Sequence, residues 1–286
     1  MPTRLVSTAF LITLSVFCLG LPAQQPGGPD MSRCQTRGSD PETVQRACIS
    51  GPAPRTPEGT PDLTGIWQRE NGLFGFDVVG EESPSEGWLE PAMSPWAEKR
   101  YRANRRGANP APARALSDTG LDPSQHPYCL PQGFPRNYDN PHPFEIVQLP
   151  KRVYMLFETN NQARRIYLDG REHPEGVPAT FMGHSVGKWD AETLTVETVG
   201  LNDLTWIDYL GRPHTDALRV QERIRRVNHD TIQIDLTFED PETYMKPWTG
   251  RMVFYLQPEW EIMENVLCED RSGEAFRKAV DSEDNR

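Results

Sequence analysis

Short segments of alternating apolar and polar residues follow one another through the second half of the chain. They are rich in β-branched and aromatic residues, and turn residues separate them in pairs, which is typical of hairpins. No long helical pattern lies between them, so they predict a mainly β fold, an antiparallel meander that closes into a lipocalin-like barrel or a strongly curved sheet. The predicted strands are 145–148, 153–159, 164–168, 184–189, 193–199, 218–227, 231–239, 252–257 and 262–268.

The first half of the chain has a different texture. Residues 24–150 hold 19 of the 27 prolines, and proline cannot donate a hydrogen bond to a sheet, so this half is expected to be mostly irregular. A first strand is predicted at 62–67, and Ser94 followed by Pro95 is typical of a helix start. The predicted organisation is a Pro/Gly linker at 24–60 that contains a short disulfide-stapled helix at 39–47, one barrel-like domain at 61–270 with a loop-rich insertion at about 70–143, and a charged tail at 271–286.

The first 23 residues have the pattern of an export signal. Arg4 precedes an uncharged apolar run, and Ala23 offers a small residue before the cleavage point. A periplasmic or secreted protein without membrane insertion after cleavage is therefore expected. Cleavage leaves four cysteines, and an even number in an exported chain predicts disulfides. They allow three pairings, of which Cys34–Cys48 is the local one and would leave Cys129–Cys268.

Several strings in the chain resemble a known group of sequences. Over about 60–270, PDLTGIWQ, RRIYLDGREHP, MGHSVGKWDAETLTVETVG and RPHTDALRVQERIRR resemble an uncharacterised family of exported bacterial proteins from soil and marine genomes. Gly65–Trp67, on the first predicted strand, resembles the Gly-x-Trp opening of lipocalin-like barrels. The resemblance implies export and a β-fold, and it assigns no catalytic residue.

Charge and motif content narrow the classes of partner. Lys and Arg total 30 against 41 Asp and Glu, a formal net charge of −11, which argues against nucleic acid and against docking on an anionic membrane. The chain has no H-E-x-x-H motif and no phosphate-binding glycine loop, so neither a metal nor a nucleotide cofactor is predicted. The expected partner is a small-molecule ligand or substrate, and the pattern indicates no oligomeric state.

Some polar residues share a strand face with apolar residues. Alternation places Glu222 with Val220 and Ile224, His184 with Val186, and Arg165 with Tyr167. If these faces line a barrel cavity, Glu222 is the candidate general acid or base and His184 its proton partner, while Arg165 would hold developing negative charge. Tyr167 would contribute to the apolar wall. The alternatives are an internal Glu–Arg ion pair, or a bulge that turns Glu222 to solvent.

The segment 200–217 is a long loop rich in aromatic and acidic residues. It holds His214, a further catalytic candidate, and three candidate ligand-binding residues, Trp206, Asp208 and Tyr209. Such a loop could cover a barrel mouth and touch the ligand. The other interpretation is a packed Ω-like loop whose aromatic residues cover the core.

Gly183–Gly187 (GHSVG) matches the G-x-S-x-G motif, which would make Ser185 the nucleophile of a serine hydrolase. A predicted hairpin follows the motif where that site needs a helix, so the glycines could instead permit close packing where the strand begins. The favoured function is an acid–base enzyme without metal, such as an isomerase, lyase, cyclase or hydrolase, acting on a small, partly apolar molecule. The alternatives are a non-catalytic carrier of an apolar ligand, a serine hydrolase, and a structural protein with a filled core.

Overall fold

The structure, a computed structural model, describes residues 51–69, 76–79, 91–108 and 130–265. Several predictions fall outside the described residues. They are the export signal, the helix at 39–47, the charged tail, and the four cysteines that the predicted cleavage would leave, Cys34, Cys48, Cys129 and Cys268. Within those ranges, no helix is both long and apolar enough to cross a membrane.

The described chain forms a closed mixed β-barrel of nine strands. The strands follow the order β1-β3-β4-β5-β6-β7-β8-β9-β10, and β10 pairs again with β1 to close the barrel, while β2 adds to β10. A single turn of 3₁₀ helix, Arg136–Asp139, precedes β3. The elements are β1 (Gly65–Arg69), β2 (Asp77–Val79), α1 (Pro95–Ala108), β3 (Phe144–Leu149), β4 (Arg152–Phe157), β5 (Gln162–Tyr167), β6 (His184–Asp190), β7 (Thr193–Val199), β8 (Arg219–Asn228), β9 (Thr231–Glu239) and β10 (Trp248–Leu256).

The mainly β class and the barrel are confirmed, and one strand pair departs from the predicted antiparallel meander. Strands β5 and β6 run parallel, with Ile166 opposite Ser185 and Tyr167 opposite Val186. The connection 168–183 is too long for a tight hairpin turn, and it returns the chain to the end of the barrel where β5 began. The sheet is therefore mixed at this one position.

The strand predicted at 262–268 is not formed by its described part. Residues 262–265 are irregular apart from one bridge between Asn265 and Thr159. The partner edge of β10 is already taken, because β1 pairs with it through Trp67 and Leu256. Closure of the barrel thus replaces the hairpin that local pattern predicts.

The alternation of the strands fills the barrel with large side chains. Along β9, Ile232, Ile234, Leu236 and Phe238 are all buried, as expected for strands with one face on a core. Tyr138, from the 3₁₀ helix, enters the interior, and its ring packs 5.7 Å from that of Phe144. The Pro-rich half of the chain therefore supplies part of the core.

Helix α1 and residues 51–60 lie outside the barrel and are held against it by polar contacts. Helix α1 begins as predicted, with Pro95 in the first turn and the amide of Ala97 3.3 Å from the Ser94 hydroxyl. The Asn104 side chain donates a 2.8 Å hydrogen bond to the carbonyl of Gly211, which ties the helix to the loop 200–217. Residues 51–60, predicted as linker, also contact the barrel, where Arg55 forms a 2.6 Å ion pair with Glu192.

Candidate functional site

Glu222 lies inside the barrel, on the face that alternation predicts, with only 1% of its surface exposed. The Arg164 guanidinium donates to both of its carboxylate oxygens, at 3.0 Å to Oε1 and by a shorter contact to Oε2. The hydroxyl of Tyr138 donates to Oε1 at 2.9 Å. The carboxylate is thus held by an internal Glu–Arg pair, one of the alternatives that the pattern left open.

The arginine of this pair is Arg164, and the candidate Arg165 lies on the outer face of β5. Arg165 shares a face with Tyr167, as predicted, but Ile166 and Arg164 are the residues that point inward. Arg164 also donates to Ser185 Oγ at 3.1 Å and to Thr198 Oγ1 at 2.9 Å. The prediction chose the wrong face because Tyr167, an amphipathic residue, can lie on either face of a strand.

The interior cluster is saturated with hydrogen bonds. Burial, and then the charge of Glu222, raise the pKa of Tyr138 well above 10.0, so its hydroxyl stays a neutral donor. The carboxylate of Glu222 is neutralised by a bidentate guanidinium, and all three side chains are buried. This arrangement favours a structural role for Glu222 over proton transfer to a ligand.

The structure does not bring the three predicted catalytic residues together. His184 lies on the outer face of β6 and stacks on Tyr167, with ring centroids 5.3 Å apart. The sheet therefore separates it from Glu222. His214 is buried in the loop 200–217, where its Nδ1 lies 3.0 Å from the carbonyl oxygen of Thr215.

The loop 200–217 is packed against the end of the barrel. Trp206 is buried, and Asp208 is fully buried in a 2.6 Å ion pair with Arg212. The guanidinium of Arg136 lies over two rings of the loop, 5.1 Å from Trp206 and 4.4 Å from that of Tyr209. The packed Ω-like interpretation therefore fits better than a lid. Pattern could not identify Arg136, because it lies in a Pro-rich stretch without periodicity.

Ser185 does not have the surroundings of a serine nucleophile. It is the second residue of a strand in the β6–β7 hairpin, it is buried, and its hydroxyl contacts Thr198 and Arg164. Gly183 has φ +62°, and a Cβ there would lie 2.7 Å from the carbonyl oxygen of Val199. The glycine thus serves close packing where the strand begins.

A cleft of about 480 Å³ opens on the outer wall of the barrel over β6, β7 and β8. In the register, Lys188 is opposite Thr195, which is opposite Arg223, so the two cations lie on one outer row. Both side chains are exposed, and neither forms an ion pair with any residue that the structure describes. The side chains that bear on the chemistry of the cleft are Arg171, Lys188, Thr195, Glu197, Gln221 and Arg223.

A pair of histidines lies beside this cleft. The Nδ1 atoms of His173 and His184 are 2.8 Å apart, and His173 Nε2 is 3.6 Å from the carboxylate of Glu197. Burial is the main cause that lowers the pKa of both rings, and for His184 the neighbouring His173 and Arg171 add to it. The lowered pKa values favour the neutral form of both imidazoles at neutral pH. Across the described ranges, no three metal-ligating side chains converge.

The buried His214 is expected to make stability depend on pH. Burial lowers its pKa from the ordinary 6.5, against the opposing effects of the Thr215 carbonyl and Asp240. In the unfolded chain the imidazole takes up a proton at a higher pH than it does in the folded protein. The stability that is present above pH 6.5 is therefore lost progressively as the pH falls below 6.5. The free energy of unfolding should therefore fall from about pH 7 to about pH 5, and less steeply in His214→Gln. Urea denaturation at several pH values measures how the free energy of unfolding depends on pH in both proteins. Equal pH dependence would contradict a contribution from His214.

Two clusters of polar side chains thus lie on opposite faces of the same strands, one closed around Glu222 and one open at the cleft. The predicted site residues divide among three regions, with Glu222 in the interior, Arg165, Tyr167 and His184 on the outer wall, and Trp206, Asp208, Tyr209 and His214 in the loop. No protein-family model matches the chain, and neither a curated protein nor a solved structure is significantly similar to it.

Proposed function

We propose that the protein is a ligand-binding β-barrel that holds a small organic anion in the cleft on its outer wall. The observation that carries the proposal is the pair of exposed cations, Lys188 and Arg223, which face the cleft without ion-pair partners among the described residues. They are two strands apart, a distance of about 10 Å, so an anion between them is attracted by both. A chain of net charge −11 keeps this cationic site amid an excess of acidic residues.

The size and lining of the cleft suit a molecule with a polar end and an apolar body. Its volume of about 480 Å³ is typical of small-molecule sites. Thr195 and Gln221 offer hydrogen bonds beside the cations, while Val186 and Gly187 add apolar and backbone surface. These groups fit an organic carboxylate, sulfonate or phosphate better than a wholly apolar ligand.

Binding is favoured over catalysis because the barrel interior, which holds Glu222 and Ser185, is closed to a ligand. The acid and base candidates of the interior are enclosed and paired, as Glu222 is with Arg164. Ser185 donates or accepts within the same enclosed cluster. The predicted export signal at 1–23 would place a carrier of organic anions in the periplasm or outside the cell.

The proposal is tested with 8-anilinonaphthalene-1-sulfonate, a fluorescent organic anion with an apolar body. The double variant Lys188→Gln with Arg223→Gln should bind it at least about tenfold more weakly than the unsubstituted protein at low salt, because both attracting charges are lost. Fluorescence titration at low and high salt measures the change.

The control is Lys99→Gln, since Lys99 is exposed on α1 and does not line the cleft. It removes one positive charge outside the barrel wall that forms the cleft, so binding should change little. Equal affinity in the double variant and the unsubstituted protein, or no binding by either, would contradict an anion site in the cleft.

A further inference from the structure

The geometry points to a binding site for a divalent transition-metal ion between His173 and His184, at the edge of the cleft. The two Nδ1 atoms face each other at 2.8 Å, and the rings meet edge to face with centroids 5.0 Å apart. Neutral imidazole is a preferred ligand of Zn²⁺, Cu²⁺ and Ni²⁺. Two such nitrogens on neighbouring segments can hold one ion as a chelate.

The His184 ring is held in place by contacts that need no metal, and the segment that carries His173 is anchored near its end. His184 begins β6, where it pairs with Val199, and its ring stacks on Tyr167 at an interplanar angle of 24°. His173 lies in the connection 168–183, whose end is fixed by a 2.9 Å hydrogen bond from the amide of Thr180 to the carbonyl of Gly200. A site whose ligands are already positioned loses little conformational freedom when the ion binds.

The position of Glu197 indicates which nitrogens of the two histidines carry protons. Its carboxylate lies 3.6 Å from His173 Nε2, which favours a proton on that nitrogen and leaves the Nδ1 lone pair free, as carboxylates beside metal-binding histidines do. Without metal, His184 then supplies the Nδ1 proton of the shared hydrogen bond. When the ion binds, this proton moves to His184 Nε2, so both Nδ1 lone pairs coordinate the metal and no proton is released from the pair.

The two arginines near the histidine pair are each paired with a carboxylate, which reduces their repulsion of a bound metal ion. Arg171 is offset by Asp169, with Nη2 2.6 Å from the carboxylate, and Arg219 by Glu197 at 2.5 Å. Two protein ligands leave coordination positions open. Since Arg171 and Glu197 also line the cleft, an anion bound there could supply a further ligand, and this last step rests on the proposed function.

The test is a calorimetric titration of the full chain with Zn²⁺ and with Ni²⁺ alone, in buffer free of chelators and organic anions. A Zn²⁺ site is expected in the unsubstituted protein, with affinity lost at least about tenfold in His173→Gln and in His184→Phe. The phenylalanine keeps a ring stacked on Tyr167, so thermal unfolding of this variant serves as the folding check. His229→Gln, which removes a histidine outside the pair, should bind like the unsubstituted protein.

The two proposals fail separately. The variant without Lys188 and Arg223 should keep the Zn²⁺ site while it loses the fluorescent anion. Equal Zn²⁺ affinity in the folded His173 and His184 variants would overturn the metal site. So would a ¹⁵N spectrum in which the imidazole signals of the pair do not change when Zn²⁺ is added.

Discussion

Replacing Glu222 with alanine is expected to lower the free energy of unfolding by about 3–5 kcal/mol, since it leaves a buried charge without its partner. The Arg164 guanidinium has only 1% of its surface exposed and donates to both carboxylate oxygens. The hydroxyl of Tyr138 loses its carboxylate acceptor in the same substitution and keeps only the weak acceptor Met155 Sδ. Guanidinium-induced denaturation followed by circular dichroism measures the loss.

The matched control is Glu239→Ala, at the exposed end of β9, which should change stability by less than about 0.5 kcal/mol. The double variant Glu222→Leu with Arg164→Met removes both charges and should recover much of the loss, because apolar residues of similar volume replace buried ion pairs well. A single variant as stable as the unsubstituted protein would show that the pair is not buried in solution.

Replacing Asp208 with alanine is expected to cost a similar amount, about 3–5 kcal/mol. Its Oδ2 accepts a 2.6 Å hydrogen bond from Arg212 Nη1, and its Oδ1 accepts from the amides of Leu210 and Arg212 at 3.1 and 3.3 Å. Without the carboxylate, a fully buried guanidinium and two amides lose an acceptor. Denaturation measures the global loss, and hydrogen exchange shows whether the loop 200–217 opens first.

Asp203→Ala is the control within the same loop, because Asp203 is exposed. It should leave both stability and exchange close to those of the unsubstituted protein. If Asp203→Ala and Asp208→Ala lowered stability equally, the loss would come from the charge of the loop and not from the buried pair.

The local pattern of apolar and polar residues predicted the strand bounds correctly where strands that pair are also consecutive in sequence. The predicted segments 193–199 and 231–239 coincide with β7 and β9, because each pairs with the strand beside it along the chain. Glu222 could be placed inside by alternation, since its flanking residues Val220 and Ile224 are unambiguously apolar. The same rule failed at Arg165, where Ile166 is the one aliphatic residue that marks the inner face.

Non-local contacts account for what the pattern missed. The parallel pairing of β5 with β6 depends on the path of the connection 168–183, which no turn motif encodes. Tyr138 and Arg136 enter the structure from a Pro-rich stretch without periodicity. The cleft arises from exposed residues on β6, β7 and β8 that become neighbours only through strand register, so the sequence alone indicated neither Lys188 nor Arg223.

The pairing of β1 with β10, which closes the barrel, constrains the order in which the protein can fold. Gly65–Arg69 must wait for Trp248–Leu256, which lies at the far end of the described chain. Joining such distant segments carries a loop-closure entropy, and folds with many distant contacts form slowly. A chain that emerges from the ribosome or from a membrane pore N-terminus first therefore keeps β1 with an unpaired edge until β10 arrives. That open edge is a template for association with other chains. The late pairing of β1 with β10 is therefore the step at which aggregation competes with folding.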